Sequence, residues 1–572
     1  MIRLATLLVL ALGLVSATSA QTRVTDDISG DVTWTAGTEY LLDGLIFVED
    51  GATLTIEAGT VIKGVEAGNI TTNDGAAALI VRRGATIIAN GTAAEPIIFT
   101  AEADDVDDAF DLDETDRGLW GGLILLGRAP TNANDGAGNR IDVQIEGIDF
   151  DPATGSGDEA QYGGDDADDS SGSLRYVSIR HGGFSIDGQE GNEINGLTMG
   201  AVGAGTTIEY VEVYANFDDC FEWFGGTVET KYLVGAFCGD DTFDYDEGFN
   251  GLGQYWFSIQ AADIAGRAGE HDSGNNSLGG EGSDPIAIPV ISNVTYIGSG
   301  TDATPTNDDG NSPAVFFRDN AGGKYYNSVY AYFPGQALRI EDLADGADSR
   351  ERLESGDLVV ANSLFFGFGA GDTFAALVQE GSDRTPASVV VPILEAAGNS
   401  ITDPGFRGVS RIAGDAALDP RPMEGAAAAS GASFDADALE DDFFDEVPFR
   451  GAFAPGGRGW LTGWTALSDN GYLSDGFVTT TDGALEAGVS LATFPNPTSS
   501  DATVRVTLDR AQTARLALYD VLGRQVGVVL EGTFGAGETT ATVVTSSLPA
   551  GVYVLRLEGE GVSATQQISV VR

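Results

Sequence analysis

The feature that most constrains this chain is the recurrence of short apolar-alternating runs, each closed by Gly or Asp, at steps that nearly repeat. LRYVSIRHGG (174–183) is echoed by IEYVEVYANF (208–217), which places Tyr176 and Tyr210 34 residues apart. SNVTYIGSG, YNSVYAYFPG and ANSLFFGFG set Asn293, Asn327 and Asn362 at steps of 34 and 35, each with an aromatic three residues later: Tyr296, Tyr330 and Phe365. Runs of period two, bounded by turn residues, read as strands and corners. A near-constant step reads as one unit laid on the next, each burying its apolar side only against its neighbours. The recurring Asn residues are either a hydrogen-bonded ladder at one corner or independent turn residues.

The same grammar fills residues 32–100. TEYLLDGLIFVEDG, ATLTIEAGTVIKG and ALIVRRGATIIANG end at Gly or Asn-Gly, where a corner needs positive φ. Many short strands without intervening helices leave a sandwich, barrel, propeller or solenoid. A solenoid is favoured because Leu54, Ile56, Leu79, Val81, Ile87 and Ile97 can all point inward from successive coils, while unequal insertions separate units that otherwise look alike. Two insertions, Asp104 to Asp116 and Asp158 to Asp169, are so acidic that both are expected to be surface loops.

The segment 206–253 carries the densest chemistry. Asp218, Asp219 and Glu222 follow one strand-like run, and Asp240, Asp241, Asp244, Asp246 and Glu247 follow the next, with Cys220 and Cys238 in the two corners. Stacking would set the cysteines one above the other and merge the carboxylates into a single negative face. A calcium ion bridging the two corners is the sharp expectation for Asp218, Asp219, Glu222, Asp240, Asp241, Asp244 and Asp246. The alternative is that corner acids accept backbone N–H bonds. The aromatics of this block, among them Phe221, Trp223, Phe224, Tyr245, Phe249, Tyr255 and Trp256, are expected to pack between coils.

Charge and processing signals bound the function. With 87 acidic residues against 29 basic ones and a net charge of −58, the chain repels nucleic acid and anionic membranes and offers many carboxylates to divalent cations. A salty habitat is the other reading of that balance. Arg3, the apolar run Leu4 to Val15 and small residues up to Ala20 match a secretory signal (1–20), and no other stretch is long and apolar enough to span a bilayer. Outside the cytoplasm a Cys220–Cys238 disulfide is expected, with two buried thiols as the alternative.

Several blocks carry a resemblance: GATLTIEAGTVIKG, GATIIANGTAAEPIIFTA, RGLWGGLILLGRAP, LRYVSIRHGG, DDCFEWFGGTVETKYLV and GAFAPGGRGWLTGWTAL. Together they resemble a family of secreted right-handed parallel β-helix proteins of Bacteroidota-type bacteria, over roughly residues 30 to 470. The resemblance implies an all-β parallel β-helix (21–468) and supplies no reaction. After a linker (469–487), the remainder (488–572) alternates with period two and predicts a seven-strand Ig-like sandwich, with Arg556 on its wet face. There Pro495, Asn496, Pro497, Asp520, Gly523, Gly551 and Tyr553 fall in segments that resemble the motifs of the type IX secretion C-terminal sorting domain, type A. That resemblance implies recognition by the outer-membrane translocon, processing by a sortase-like protease, and a secreted or cell-surface location.

The functional expectation is an exported β-solenoid that is structural, adhesive or glycan-binding and non-enzymatic. The alternative is a polysaccharide lyase or glycoside hydrolase acting along the helix face. Hydrolysis needs paired carboxylates, which Asp218, Asp219, Asp240 and Asp241 offer. A lyase needs a cation and a strong base, for which only Arg180, His181 and Lys231 lie nearby in sequence. IRHGG resembles the Gly-His-Gly element of β-helix polygalacturonases, but it precedes the Asp-Asp pair, and the companion Asn-Thr-Asp and Arg-Ile-Lys elements are missing. An enzyme would bring acids and a base together in a groove; a structural solenoid would turn its acids into backbone bonds.

Overall fold

The computed structural model describes residues 20–570 apart from 73, 149–158, 185–193, 275–278, 307–311, 345–346, 475–488, 495–497, 499–500, 509–511, 521–523, 536, 546–547, 550 and 560–561. The signal segment before Ala20 therefore lies outside the described residues, as do Pro495, Asn496, Pro497 and Gly523.

The repeated runs stack as parallel strands. One face is a nine-stranded parallel sheet that begins at Leu45–Val48 and ends at Leu338–Ile340. Nineteen further strands join one longer parallel array, because strands such as Thr207–Tyr214 bend from one face to the next without a break. The bend is a column of left-handed corner residues: Tyr176, Tyr210, Tyr232 and Tyr255 at φ 50, 56, 59 and 61°, continued by Asn293, Asn327 and Asn362 at 58, 54 and 52°. For non-glycine residues that conformation costs about 1–2 kcal/mol each. The tyrosines offset it by stacking coil upon coil, with ring centroids 4.4, 4.3 and 4.8 Å apart.

The pairing confirms a parallel β-helix: Leu174 lies opposite Ile208, and Ile208 opposite Thr230. The step is 34 residues in the first case and 22 in the second, so coil length is less regular than the echoes suggest. Leu54, Ile56, Leu79, Val81, Ile87 and Ile97 all point inward and are buried. Unlike in an ideal repeat array, the far end is closed by the helix Ala387–Ala396, whose Val390 and Leu394 enter the same core.

Two features depart from the sequence reading. Gln161–Tyr162 is not surface loop: it pairs antiparallel with Val143–Gln144. Tyr162 and Ala160 are buried with Ile145 and Ile148 in a lobe over the nine-stranded sheet. The acids around them stay outside while these alternate residues turn in. The second is the run after Asp403, expected to continue the solenoid. It folds back along the outside as a strap instead. Leu461, Trp464, Leu467, Tyr472 and Leu473 share a core with Tyr214, Phe237, Phe257 and Ile259, so the packed body reaches through Ser474, into the segment read as linker.

The strap explains the spaced asparagines. Each sits at its left-handed corner and donates to a strap carbonyl: Asn293 to Phe449 O (3.0 Å), Asn327 to Ser433 O (2.9 Å) and Asn362 to Gly431 O (2.8 Å). Direct Asn-to-Asn bonding occurs only between Asn362 and Asn327, at 2.7 Å, among the described residues.

The C-terminal strands form antiparallel sheets of three and four strands around Val504, Leu516, Leu555, Leu557 and Ile568. Arg556 is exposed on the outer side. Asp520 and Gly551 end and begin neighbouring strands, with Asp520 opposite Tyr553, whose hydroxyl donates to Pro549 O at 3.0 Å.

Candidate functional site

Alternation on three successive strands builds the site. In Phe221–Phe224, Phe243–Asp246 and Gly269–His271 the alternate positions Phe221, Trp223, Phe243, Tyr245 and His271 turn inward, where Phe221 stacks on Phe243 (5.4 Å) and Tyr245 on His271 (4.0 Å). The intervening positions must then face outward. Register places Glu222 opposite Asp244, Asp244 opposite Glu270, Glu270 opposite Phe316, and Phe316 opposite Arg339. The result is a strip across the sheet that is acidic at one end and basic at the other.

The acidic end is crowded. Carboxylate oxygens of Asp219, Glu222 and Asp244 lie within 4.8 Å of one another, as do those of Asp218, Asp219 and Asp240. Burial, followed by repulsion from neighbouring carboxylates (Asp218 for Asp219, Glu146 for Glu222, Glu270 for Asp244), pushes the Asp219, Glu222 and Asp244 carboxyls well above the usual range. Asn195, only 1% exposed, donates its amide to both Glu222 and Glu146, and its side-chain oxygen faces no donor. Asp244 Oδ1 is likewise without a hydrogen-bond donor. Three converging carboxylates, one with an oxygen short of a donor, are the kind of set that a hard divalent cation takes.

The remaining expected ligands are placed otherwise. Asp219 Oδ1 accepts Asp241 N–H (2.8 Å), and Asp241 in turn accepts the N–H of Arg267 and its guanidinium at 3.3 Å. These two corner acids are thus bonded to the backbone of the next coil. The chain must pass very close here: a Cβ on Gly266 would stand 2.2 Å from Asp240 Oδ1. Burial raises Asp241 to about 6 even with Arg267 beside it. Asp246 belongs to the adjacent outward column, facing Asp272, and its carboxylate accepts Glu247 N–H. The single negative face therefore resolves into a backbone-bonded corner and an outward strip.

Cys220 and Cys238 form the expected disulfide, with Cα atoms 5.7 Å apart. They do not stack, however. Phe221 is opposite Phe243, and Tyr214 is opposite Ala236, so Cys220 faces Thr242, Cys238 faces Asn216, and the bridge crosses the corner diagonally.

The basic end was not visible from local sequence. Arg267 pairs with Glu270 at 2.9 Å, Arg318 pairs with Asp272 at 2.7 Å, and Arg339 lies 3.9 Å over the Phe316 ring and pairs with Asp383 at 3.1 Å. Asp272 and Glu270 hold the Arg318 guanidinium above its usual range, whereas burial and neighbouring arginines lower Arg339. Of the bases expected from sequence, Arg180 is buried against Asp469 (2.7 Å), His181 Nδ1 lies 2.6 Å from Asp116 O, and Lys231 pairs with Asp445 (3.0 Å). None of these pairings reaches the acidic strip.

Glu270, Asp272, Asn195, Glu146 and the three arginines escaped the sequence reading because they are neighbours only across coils. Glu222, Asp244 and Glu270 are 22 and 26 residues apart. The one available signal was a coil-length spacing of outward positions.

A family model described as pectate-lyase-like beta helix domain matches residues 26–391, and one described as secretion system C-terminal sorting domain matches residues 492–571. No curated protein matches the chain. Among the described residues no helix is long and apolar enough to cross a membrane. With more than half its length matched, the chain belongs to the pectate-lyase-like β-helix family, and its C-terminal sorting domain marks it as secreted or cell-surface cargo of the type IX secretion system.

Proposed function

We propose that this exported β-helix binds acidic extracellular polysaccharide without cleaving it, through a divalent cation, calcium by preference, held on the acidic strip. The observation that carries this reading is the convergence of Asp219, Glu222 and Asp244 within 4.8 Å, with Asp244 Oδ1 lacking a hydrogen-bond donor. A cation there relieves three repelling charges and keeps coordination positions for carboxylates of a glycan lying along the sheet.

Binding is favoured over turnover because the groups needed for proton abstraction are engaged. Arg318 and Arg267 are ion-paired with the strip's own carboxylates, and His271 points into the core, where its Nε2 meets the Tyr325 hydroxyl at 2.7 Å. Burial drives His271 down to about 3, so it stays neutral. One observation supports a lyase as the second reading: Arg339, at the basic end, has its pKa lowered.

The experiment is a glycan array probed with the mature chain in calcium and in chelator, with reducing-sugar and unsaturated-product assays on every glycan retained. Calcium-dependent retention of acidic glycans without product supports binding. Unsaturated product abolished by Arg339→Lys would establish the lyase, and no retention on any acidic glycan would remove the reading.

A further inference from the structure

The strap is fastened over the body by a buried carboxylate. Glu212 lies in the strand Thr207–Tyr214 and is 0% exposed. It accepts the backbone N–H of Ala466 at 2.6 Å and that of Leu467 at 3.4 Å. Those two residues open the short helix Ala466–Asp469, whose first N–H groups have no acceptor in their own turn. Thr465 Oγ1 meets the next one, Ser468 N–H, at 3.0 Å. The strap's apolar contacts, Leu461, Trp464 and Leu467, are thus joined by an acid sealed beneath them.

A buried carboxylate is ordinarily held by a cation placed directly against it. Among the described residues Glu212 makes no ion pair. Arg180, on the preceding coil, is bonded to Asp469 of the strap at 2.7 Å and reaches Glu212 only through a hydroxyl. Its Nε donates to Ser178 Oγ at 2.8 Å, and Ser178 donates to Glu212 at 2.6 Å.

The other neighbours add no positive charge. Val234 lies opposite Glu212 on the following coil. Asp104 of the acidic loop acts on the same guanidinium, and burial lowers His181 beside it. Glu114 of that loop accepts the Tyr472 hydroxyl at 2.8 Å, which in turn meets the hydroxyl of Tyr214, two residues along the strand, at 3.1 Å. Burial, against the pull of Arg180 and the three donors, raises Glu212 to about 7. When the strap lifts, water reaches the carboxyl and it returns to the ordinary range near about 4.3.

We propose that Glu212 makes the strap a proton-sensitive clasp: docking takes up a proton at this carboxyl, so the strap opens more readily in neutral and alkaline medium than in mild acid. The docked state keeps the proton to higher pH than the open one. Docking is therefore strongest below the open-state value, weakens as pH rises through the docked value, and then levels off. The clasp is independent of the cation strip and of any glycan bound there.

The test is hydrogen–deuterium exchange of the mature chain in chelator at pH 5 and pH 8, corrected for intrinsic amide rates. Residues 466–472 are compared with the coil strand Phe221–Phe224. Relative to the coil, the strap is expected to lose protection by about 50- to 100-fold between the two conditions. Glu212→Gln keeps an acceptor oxygen and cannot titrate, and it is expected to reduce that loss to under about threefold. Asp469→Asn removes the direct competitor for Arg180, so more of Glu212 stays ionised in the docked state and the loss shrinks severalfold. This second variant decides the question if Glu212→Gln leaves the strap undocked at both pH values. No excess loss in the wild-type strap, an undiminished loss in Glu212→Gln with the strap docked, or an undiminished loss in Asp469→Asn overturns the proposal.

Discussion

Asp244→Asn separates the electrostatics of the strip from its role in packing, because asparagine keeps the shape and removes the charge. Two carboxylate charges 4.8 Å apart repel by about 3–4 kcal/mol at an effective dielectric of about 20. Asp244 makes two such pairs, with Asp219 and Glu222. Proton uptake by the raised carboxyls absorbs part of that, which leaves about 2–4 kcal/mol to be relieved by the substitution. For a body of this length that corresponds to a rise in melting temperature of about 2–6 °C in chelator. In calcium the order reverses. At a concentration about 1,000 times the dissociation constant the wild type gains about 4.1 kcal/mol from the bound ion, which exceeds the repulsion relieved, and the variant gains little from this site. Differential scanning fluorimetry of both proteins, at low ionic strength with chelator and then with calcium, reads both signs. A variant that melts below the wild type in chelator would refute the reasoning, since it would show that Asp244 stabilises the empty chain.

The raised carboxyls also fix a pH dependence. Asp241 at about 6 and Glu247 at about 7, together with Asp219, Glu222 and Asp244, hold protons in the folded chain that the unfolded chain releases near pH 4. Stability in chelator is therefore greatest near pH 4 and falls as pH rises from about 4 to about 7, the buried Asp241 alone costing about 3 kcal/mol by then; urea unfolding across that range measures it, and calcium should flatten the slope. Replacing both Cys220 and Cys238 with serine should cost about 2–4 kcal/mol, seen as a lower urea midpoint that reducing agent reproduces in the wild type. Trp464→Ala empties the packing over Tyr176 and Tyr210, whose rings meet Trp464 edge-on at 5.7 and 6.2 Å. A loss of about 3–5 kcal/mol follows, with limited proteolysis cutting first between residues 403 and 474 while the parallel coils persist.

The parallel helix and its core were legible because strand alternation and glycine corners are local rules, and Leu54, Leu79 and Ile87 obey them in isolation. The C-terminal sandwich was legible for the same reason. The strap was not: Trp460, Leu461 and Trp464 carry no period, and their burial depends on a face of tyrosines two hundred residues earlier. The asparagine spacing recorded the strap indirectly, since Asn293, Asn327 and Asn362 keep their step in order to meet its carbonyls. Of the site, the sequence showed the acids adjacent in the chain, Asp218 with Asp219 and Asp240 with Asp241. Local clustering could not tell that Asp241 is taken up by the backbone of the next coil, nor that Glu222 and Asp244 align with Glu270, because the coil length between them varies.

The claim beneath all of this is that winding the chain into stacked coils brings Asp219, Glu222 and Asp244 around one point where a cation is held. Anomalous scattering from crystals of the mature chain grown in calcium, or soaked in a lanthanide, locates that point directly. The account predicts a peak bounded by oxygens of Glu222, Asp244 and Asp219 at about 2.3–2.6 Å. A strip occupied by water alone, with the carboxyls protonated and bonded to one another, would contradict it.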